Sequence, residues 1–92
     1  MIDKVEKARI LVVDDEPTNI EVIQGYLERE YEVISAGSGK EALQKLYNEK
    51  PDVVLLDIMM PEISGYEVCK RIKQDEFTRF IPVVMVTALS EV

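Results

Sequence analysis

The sequence predicts an α/β fold, a mainly parallel sheet with helices on both faces, on three observations. Short all-apolar runs alternate with stretches of helical apolar period from end to end. Two of those runs close directly on aspartate. Two helices announce themselves with the same Ser-Gly-x-Glu signal, the spacing of a capping box. With 92 residues, one domain spanning 1–92 is expected, because chains usually divide into domains of roughly 100 to 150 residues.

Ile10, Leu11, Val12 and Val13 form the first run and read as a buried parallel strand, followed at once by Asp14 and Asp15. Pro17 suits a first helical position, and Ile20, Ile23 and Leu27 mark the apolar stripe of the helix behind it. Tyr31 to Ala36 is the second strand. It carries Glu32 and Ser35 between apolar residues, an admixture that an edge strand tolerates and a central parallel strand does not. Ser38-Gly39-Lys40-Glu41 starts the second helix, with Ala42, Leu43, Leu46 and Tyr47 at helical spacing and a stop at Lys50-Pro51. Val53 to Leu56 is the third strand, ending in Asp57. Ser64-Gly65-Tyr66-Glu67 starts the third helix, with Val68, Cys69 and Ile72 on one face. Pro82 introduces the fourth strand, Val83 to Val86, which ends in Thr87.

An edge-like second strand beside fully apolar first and third strands predicts the order 2-1-3-4, a flavodoxin-like three-layer arrangement with right-handed crossovers. Growth of the sheet then reverses at strand one. Open α/β sheets bind ligands beyond the carboxyl ends of the strands at such a switch point. Those ends carry Asp14, Asp15, Asp57 and Thr87.

Composition removes other chemistries. A chain with no histidine supplies no Ser/His/Asp triad, imidazole base or His-ligated zinc. The single Cys69 forms neither an internal disulfide nor a thiolate zinc site, and on its helical face it is expected to be a buried, inert thiol. A net charge of -7 opposes a nucleic-acid backbone and tolerates cations. No apolar run approaches the roughly 18 residues of a membrane span, and the charged stretch from Met1 to Ala8 lacks a signal peptide's apolar centre, so a cytoplasmic protein without membrane or direct nucleic-acid contact is expected.

Three carboxylates converging on one crevice repel one another and call for protons or a cation. Magnesium is the economical cation, since it prefers oxygen ligands and often sits on one or two carboxylates beside a phosphate. With phosphoryl oxygens so held, a carboxylate could act as nucleophile and become an acyl phosphate. Asp57, closing a middle strand, suits that role, and Asp14 and Asp15 suit the metal. Blander readings stand beside this one. Thr87 could be an ordinary β-branched strand residue, Met59 and Met60 core filler, Pro61 a loop stiffener and Gly65 a helix-start residue. The Gly37-Ser38-Gly39 stretch is too short for a Walker loop and reads as a turn, and Lys40, Lys45 and Lys50 read as a solvated face.

Val12-Val13-Asp14-Asp15-Glu16-Pro17, Leu55-Leu56-Asp57-Ile58-Met59-Met60-Pro61, Gly65-Tyr66 and Pro82-Val83-Val84-Met85-Val86-Thr87-Ala88 occur in that order. Together they resemble the receiver domain of two-component response regulators, over a stretch from about Arg9 to the last residue. The resemblance implies that Asp57 accepts a phosphoryl group from a histidine kinase or a phosphotransfer protein. It implies that Asp15, Asp57 and the backbone carbonyl of Met59 ligate magnesium, with Asp14 helping through water. Thr87 would be the switch hydroxyl and the amide of Ala88 would lie near the phosphoryl group.

One departure concerns the far end of the family pattern. A fourth helix, a fifth strand bearing a lysine before a proline and a fifth helix have no counterpart after Val92, and Lys40, Lys45, Lys50, Lys70 and Lys73 fall on predicted helices away from the strand ends. On this reading the fourth strand is an exposed apolar edge. A homodimer or a domain-swapped oligomer through residues 83–87 is therefore expected. Two other functions stand beside this one: an assembly module that keeps a magnesium site without productive switching, and an aspartyl phosphohydrolase. The hydrolase would need Asp-x-Asp after the first strand, whereas adjacent Asp14 and Asp15 would point to opposite sides of an extended chain.

Overall fold

The computed structural model describes residues 6–86. Seven elements alternate along it: β1 (Arg9–Val13), α1 (Pro17–Leu27), β2 (Glu32–Ala36), α2 (Gly39–Glu49), β3 (Val53–Asp57), α3 (Gly65–Gln74) and β4 (Val83–Val86). The strands form one sheet in the order β2-β1-β3-β4, every pair parallel. This is the flavodoxin-like order expected, with β2 on the edge. Tyr31 stands just outside β2, since its N–H bonds back to the carbonyl of Leu27 at the end of α1.

Right-handed crossovers decide where the helices go. The step from β1 to β2 runs one way across the sheet, and the steps from β2 to β3 and from β3 to β4 run the other. Accordingly α1 packs on β1 and β2, while α2 and α3 meet on the opposite face. There Leu11, Val13, Ala36, Val54 and Leu56 from the strands close on Ala42, Leu46, Val68 and Ile72 from the helices. Ile10 and Val12 turn to the α1 side and are also buried. The side chains alternate between faces as a period of two requires, yet both sets are apolar because both faces of β1 are covered.

The α1 face is more thinly covered. Ile20, Ile23 and Leu27 are only half-buried, and α1 buries no residue fully. Val84 and Val86 of β4 are exposed.

Helix ends follow local chemistry. Ser38 and Ser64 are the N-caps, each hydroxyl accepting from the N–H three residues on, at 3.1 Å from Glu41 and 3.2 Å from Glu67. Neither serine completes the reciprocal box. The Glu41 carboxylate accepts instead from the N–H of Gly37 at 2.8 Å and pairs with Lys45, which lowers its pKa, the Gly37 bond contributing most. Glu67 pairs with Arg71. Lys50 ends α2 in the left-handed region at φ 50° before Pro51. Beyond α3, the hydroxyl of buried Thr78 donates to the carbonyl of Ile72 at 2.8 Å, a cap the sequence reading did not identify.

Several side chains sit differently from expectation. Cys69 is half-buried, packed against the core rather than sealed within it. Tyr47 is exposed, at the outer margin of its helical stripe. Lys45 is not merely solvated, because its ammonium donates to the carbonyl of Ser35 at 2.6 Å and anchors α2 to β2.

Leu56 is fully buried at the centre of the larger core. Leu56→Ala should cost about 2–5 kcal/mol, and Ser64→Ala about 0.5–2 kcal/mol, both read from urea denaturation midpoints at unchanged slope.

Candidate functional site

The site follows from one register. Val13 of β1 stands opposite Leu56 of β3, so the next residues of the two chains, Asp14 and Asp57, emerge side by side at the carboxyl end of the sheet. Val86 of β4 lies opposite Asp57. Thr87 and Ala88, expected here from the sequence, lie outside the described residues.

Oxygens of Asp14, Asp15 and Asp57 all lie within 4.8 Å of one another. That Asp14 and Asp15 both reach the site differs from the expectation for adjacent residues of an extended strand. The cause is local: β1 ends at Val13 and the chain bends at Asp15. The opposite-sides argument against a hydrolase therefore does not apply to this bend.

The three carboxylates are unequal. Asp14 is nearly buried, 9% exposed, and both of its oxygens are engaged. One accepts from the N–H of Glu16 at 2.9 Å, the other from the Asn19 side-chain amide at 3.3 Å. Asp14 thereby caps the start of α1, where Glu16 itself makes no side-chain cap. Asn19 is a site residue that the sequence reading missed; its place two residues after Pro17, on the first turn of a helix leaving the crevice, was the available signal. Asp15 is the most exposed of the three.

Asp57 is 8% exposed, and among the described residues its one backbone donor, the N–H of Met59, stands at a long 3.4 Å. Burial pushes its carboxyl above the ordinary range. The charge of Asp14 adds to this, the Met59 N–H opposes it, and Asp15 raises it further by charge and by hydrogen bonding. A hard divalent cation suits such a donor set. It would replace the missing solvation of Asp57 and relieve the mutual repulsion, and the ligand atoms are all oxygens.

Met59, whose carbonyl is a candidate ligand, is no core filler: the residue is 73% exposed, whereas Met60 packs against the core. Tyr66 is exposed beside it, and the two help to line an open groove of about 440 Å³ along the β3–α3 loop. Among the lysines, Lys45 is committed to Ser35 and Glu41, and Lys73 to the carbonyls of Arg79 and Ile81.

Residues 10–92 match the response regulator receiver domain family. The chain belongs to that family. Receiver domains are signalling modules that generally interact with histidine kinases or phosphotransfer proteins and bind magnesium through an acidic cluster. This receiver domain is 46% identical over 84 residues to the alkaline phosphatase synthesis transcriptional regulatory protein PhoP of Bacillus subtilis, covering 90% of this chain and 34% of that one. It is 48% identical over 83 residues to the response regulator PleD of Caulobacter vibrioides, covering 89% and 18%. The chain thus spans about a third or less of these curated relatives. Among solved structures it resembles the N-terminal domain of a response regulator receiver protein from Methanoculleus marisnigri, with a TM-score of 0.85, 49% identity and coverage of 91% and 69%. It also resembles the chemotaxis response regulator CheY4 of Vibrio cholerae, with a TM-score of 0.84, 31% identity and coverage of 92% and 72%. No helix among the described residues is long and apolar enough to cross a membrane.

The raised pKa of Asp57 has a definite sign in stability. A carboxyl that binds its proton more tightly when folded favours the fold below its unfolded pKa, near 3.8, and loses that contribution as pH rises through the raised value. In chelator, Asp57→Asn should therefore melt higher than the parent at pH 7. The difference should vanish as the pH falls below the ordinary carboxylate range, measured by paired thermal melts.

Proposed function

We propose that this chain is a single receiver domain that accepts a phosphoryl group on Asp57 from a histidine kinase or phosphotransfer protein in the cytoplasm, with magnesium held by Asp15, Asp57 and the Met59 carbonyl. The observation that carries the reading is the three-aspartate cluster at the carboxyl ends of β1 and β3, with Asp57 buried within it. Magnesium, when bound, would supply positive charge that offsets the acidic cluster and draws phosphoryl oxygens to it. The remaining work belongs to the side chains. Asp57 offers a carboxylate oxygen to phosphorus. The bond from phosphorus to the donor nitrogen breaks as the new oxygen–phosphorus bond forms. Asp15, more open to solvent, would ligate directly, while Asp14, with both oxygens engaged, would act through water. Thr87 would supply the switch hydroxyl and Ala88 an amide to the phosphoryl group. The protein assists its own phosphoryl transfer and is proposed to carry no independent enzyme activity.

The test is intact mass after incubation with phosphoramidate. The parent should gain one phosphate only with magnesium, and the label should be released by hydroxylamine, as an acyl phosphate is. A phosphate still gained by Asp57→Ala would refute the assignment. Magnesium at 100 times its dissociation constant should add about 2.7 kcal/mol of stability, and Asp15→Asn or Asp57→Asn should abolish the gain.

A second reading, self-association as an assembly module, is favoured by β4. It is the edge of the described sheet, and Val84 and Val86 are exposed upon it. The proposed contact is a symmetric pairing of β4 with β4, or an exchange of segments around residues 83–87, with no membrane or direct nucleic-acid contact. Light scattering at micromolar concentration should show a dimer that Val84→Lys returns to monomer. A monomeric parent refutes this reading.

A further inference from the structure

We infer that Gly65 is a positioning residue for the phosphoacceptor, holding the β3–α3 loop so that Asp57 and the Met59 carbonyl keep their places; this rests on the assignment of Asp57 above. Gly65 is buried at the first position of α3. A Cβ built there would stand 2.2 Å from the carbonyl oxygen of Asp57, 2.8 Å from Cα of Ile58 and 2.9 Å from the carbonyl carbon of Asp57. All three are backbone atoms, which cannot swing aside as the end of a side chain can. The backbone of Gly65 is not in the left-handed region. Close approach, rather than an unusual φ, is thus what requires glycine.

The same residue closes the loop. Its N–H donates to the carbonyl of Ile58 at 2.8 Å, within a loop that also holds a bond from the Ile63 N–H to the Pro61 carbonyl at 2.8 Å and Glu62 at φ 69°. Met59 lies inside this closed segment, and its N–H is the long 3.4 Å donor to Asp57. Any side chain at 65 must push the first turn of α3 away from the end of β3 or displace the Asp57 peptide. Either movement is carried to Met59 and to the carboxylate. Reaction rates are sensitive to such displacements, because a misplacement of about 1 Å can cost on the order of 100-fold.

Gly39 provides the control. It too is buried at the first position of a helix, but the three atoms nearest its added Cβ belong to side chains, Val68 at 2.8 Å and Ile63 at 3.1 and 3.3 Å. Gly39→Ala should destabilise the fold and press on the Ile63 side chain of the same loop, but it adds no atom against the Asp57 and Ile58 backbone that Gly65 closes upon. The experiment compares parent, Gly65→Ala and Gly39→Ala at a temperature where melts show all three folded, measuring magnesium affinity by titration calorimetry and the phosphoramidate rate by intact mass. Gly65→Ala is expected to lose at least tenfold in both, and Gly39→Ala less than threefold in either. Should Gly65→Ala not fold, a semisynthetic chain with an ester in place of the Gly65 amide removes the loop-closing N–H without adding an atom. It is expected to show the same loss. Parent-like values in the folded Gly65→Ala or in the ester chain, or equal losses in the two alanine variants, would overturn the inference. A parent that takes no phosphate would instead refute the Asp57 assignment, so the two failures are distinguishable.

Discussion

The pairing of β1 with β3 is the constraint on which the rest of this molecule depends. These strands are not consecutive in the chain, and they become neighbours only because β2 is laid on the outer side of β1. A slip of one residue would invert every side chain between the two faces of the sheet. Leu11, Val13, Val54 and Leu56 would leave the core under α2 and α3, a loss that apolar burial forbids. The same register sets Asp14 beside Asp57. Core packing therefore fixes the distance between carboxylates that have no attraction for each other.

That arrangement sets stability against chemistry within a few ångströms. Leu56, fully buried, contributes to the core, whereas the next residue places a poorly solvated carboxylate close to two others. The cost is reduced by partial satisfaction. Asp14 is tied to the start of α1 through Glu16 and Asn19, whereas among the described residues Asp57 has a single long backbone donor. Burial and like charge both raise the Asp57 pKa. Asp57 is thus buried beside two like charges with little compensating hydrogen bonding among the described residues, a combination that a hard cation would relieve.

The sheet and its order were legible because apolar runs, polar admixture and crossover handedness all reported on the same burial. Glu32 and Ser35 distinguished the edge strand, and the aspartates after Val13 and Leu56 marked the switch point. Sequence reasoning failed where geometry turned on one or two residues. The bend at Asp15 carries two adjacent carboxylates to one site, and nothing in a period-two pattern signals where a strand stops obeying it. Asn19 and Thr78 were missed for a related reason. Each acts by one side-chain hydrogen bond to a neighbour fixed only once the helix end is built.

The capping serines show how a local signal can be right in place and incomplete in mechanism. Ser38 and Ser64 begin their helices as the spacing predicts, but the glutamates do not return to the serine N–H groups. Glu41 goes instead to Gly37, and its pairing with Lys45 leads on to the Ser35 carbonyl, so the cap of α2 is joined to the edge strand β2. The glycines after the two serines then do unequal work. Gly39 admits side chains of α3 and the loop before it, which gives α2 and α3 a close approach, whereas Gly65 admits the backbone at the end of β3 itself. Two identical-looking helix starts thus differ in what they position: one sets the packing between helices, and the other sets α3 directly against the peptide that carries Asp57.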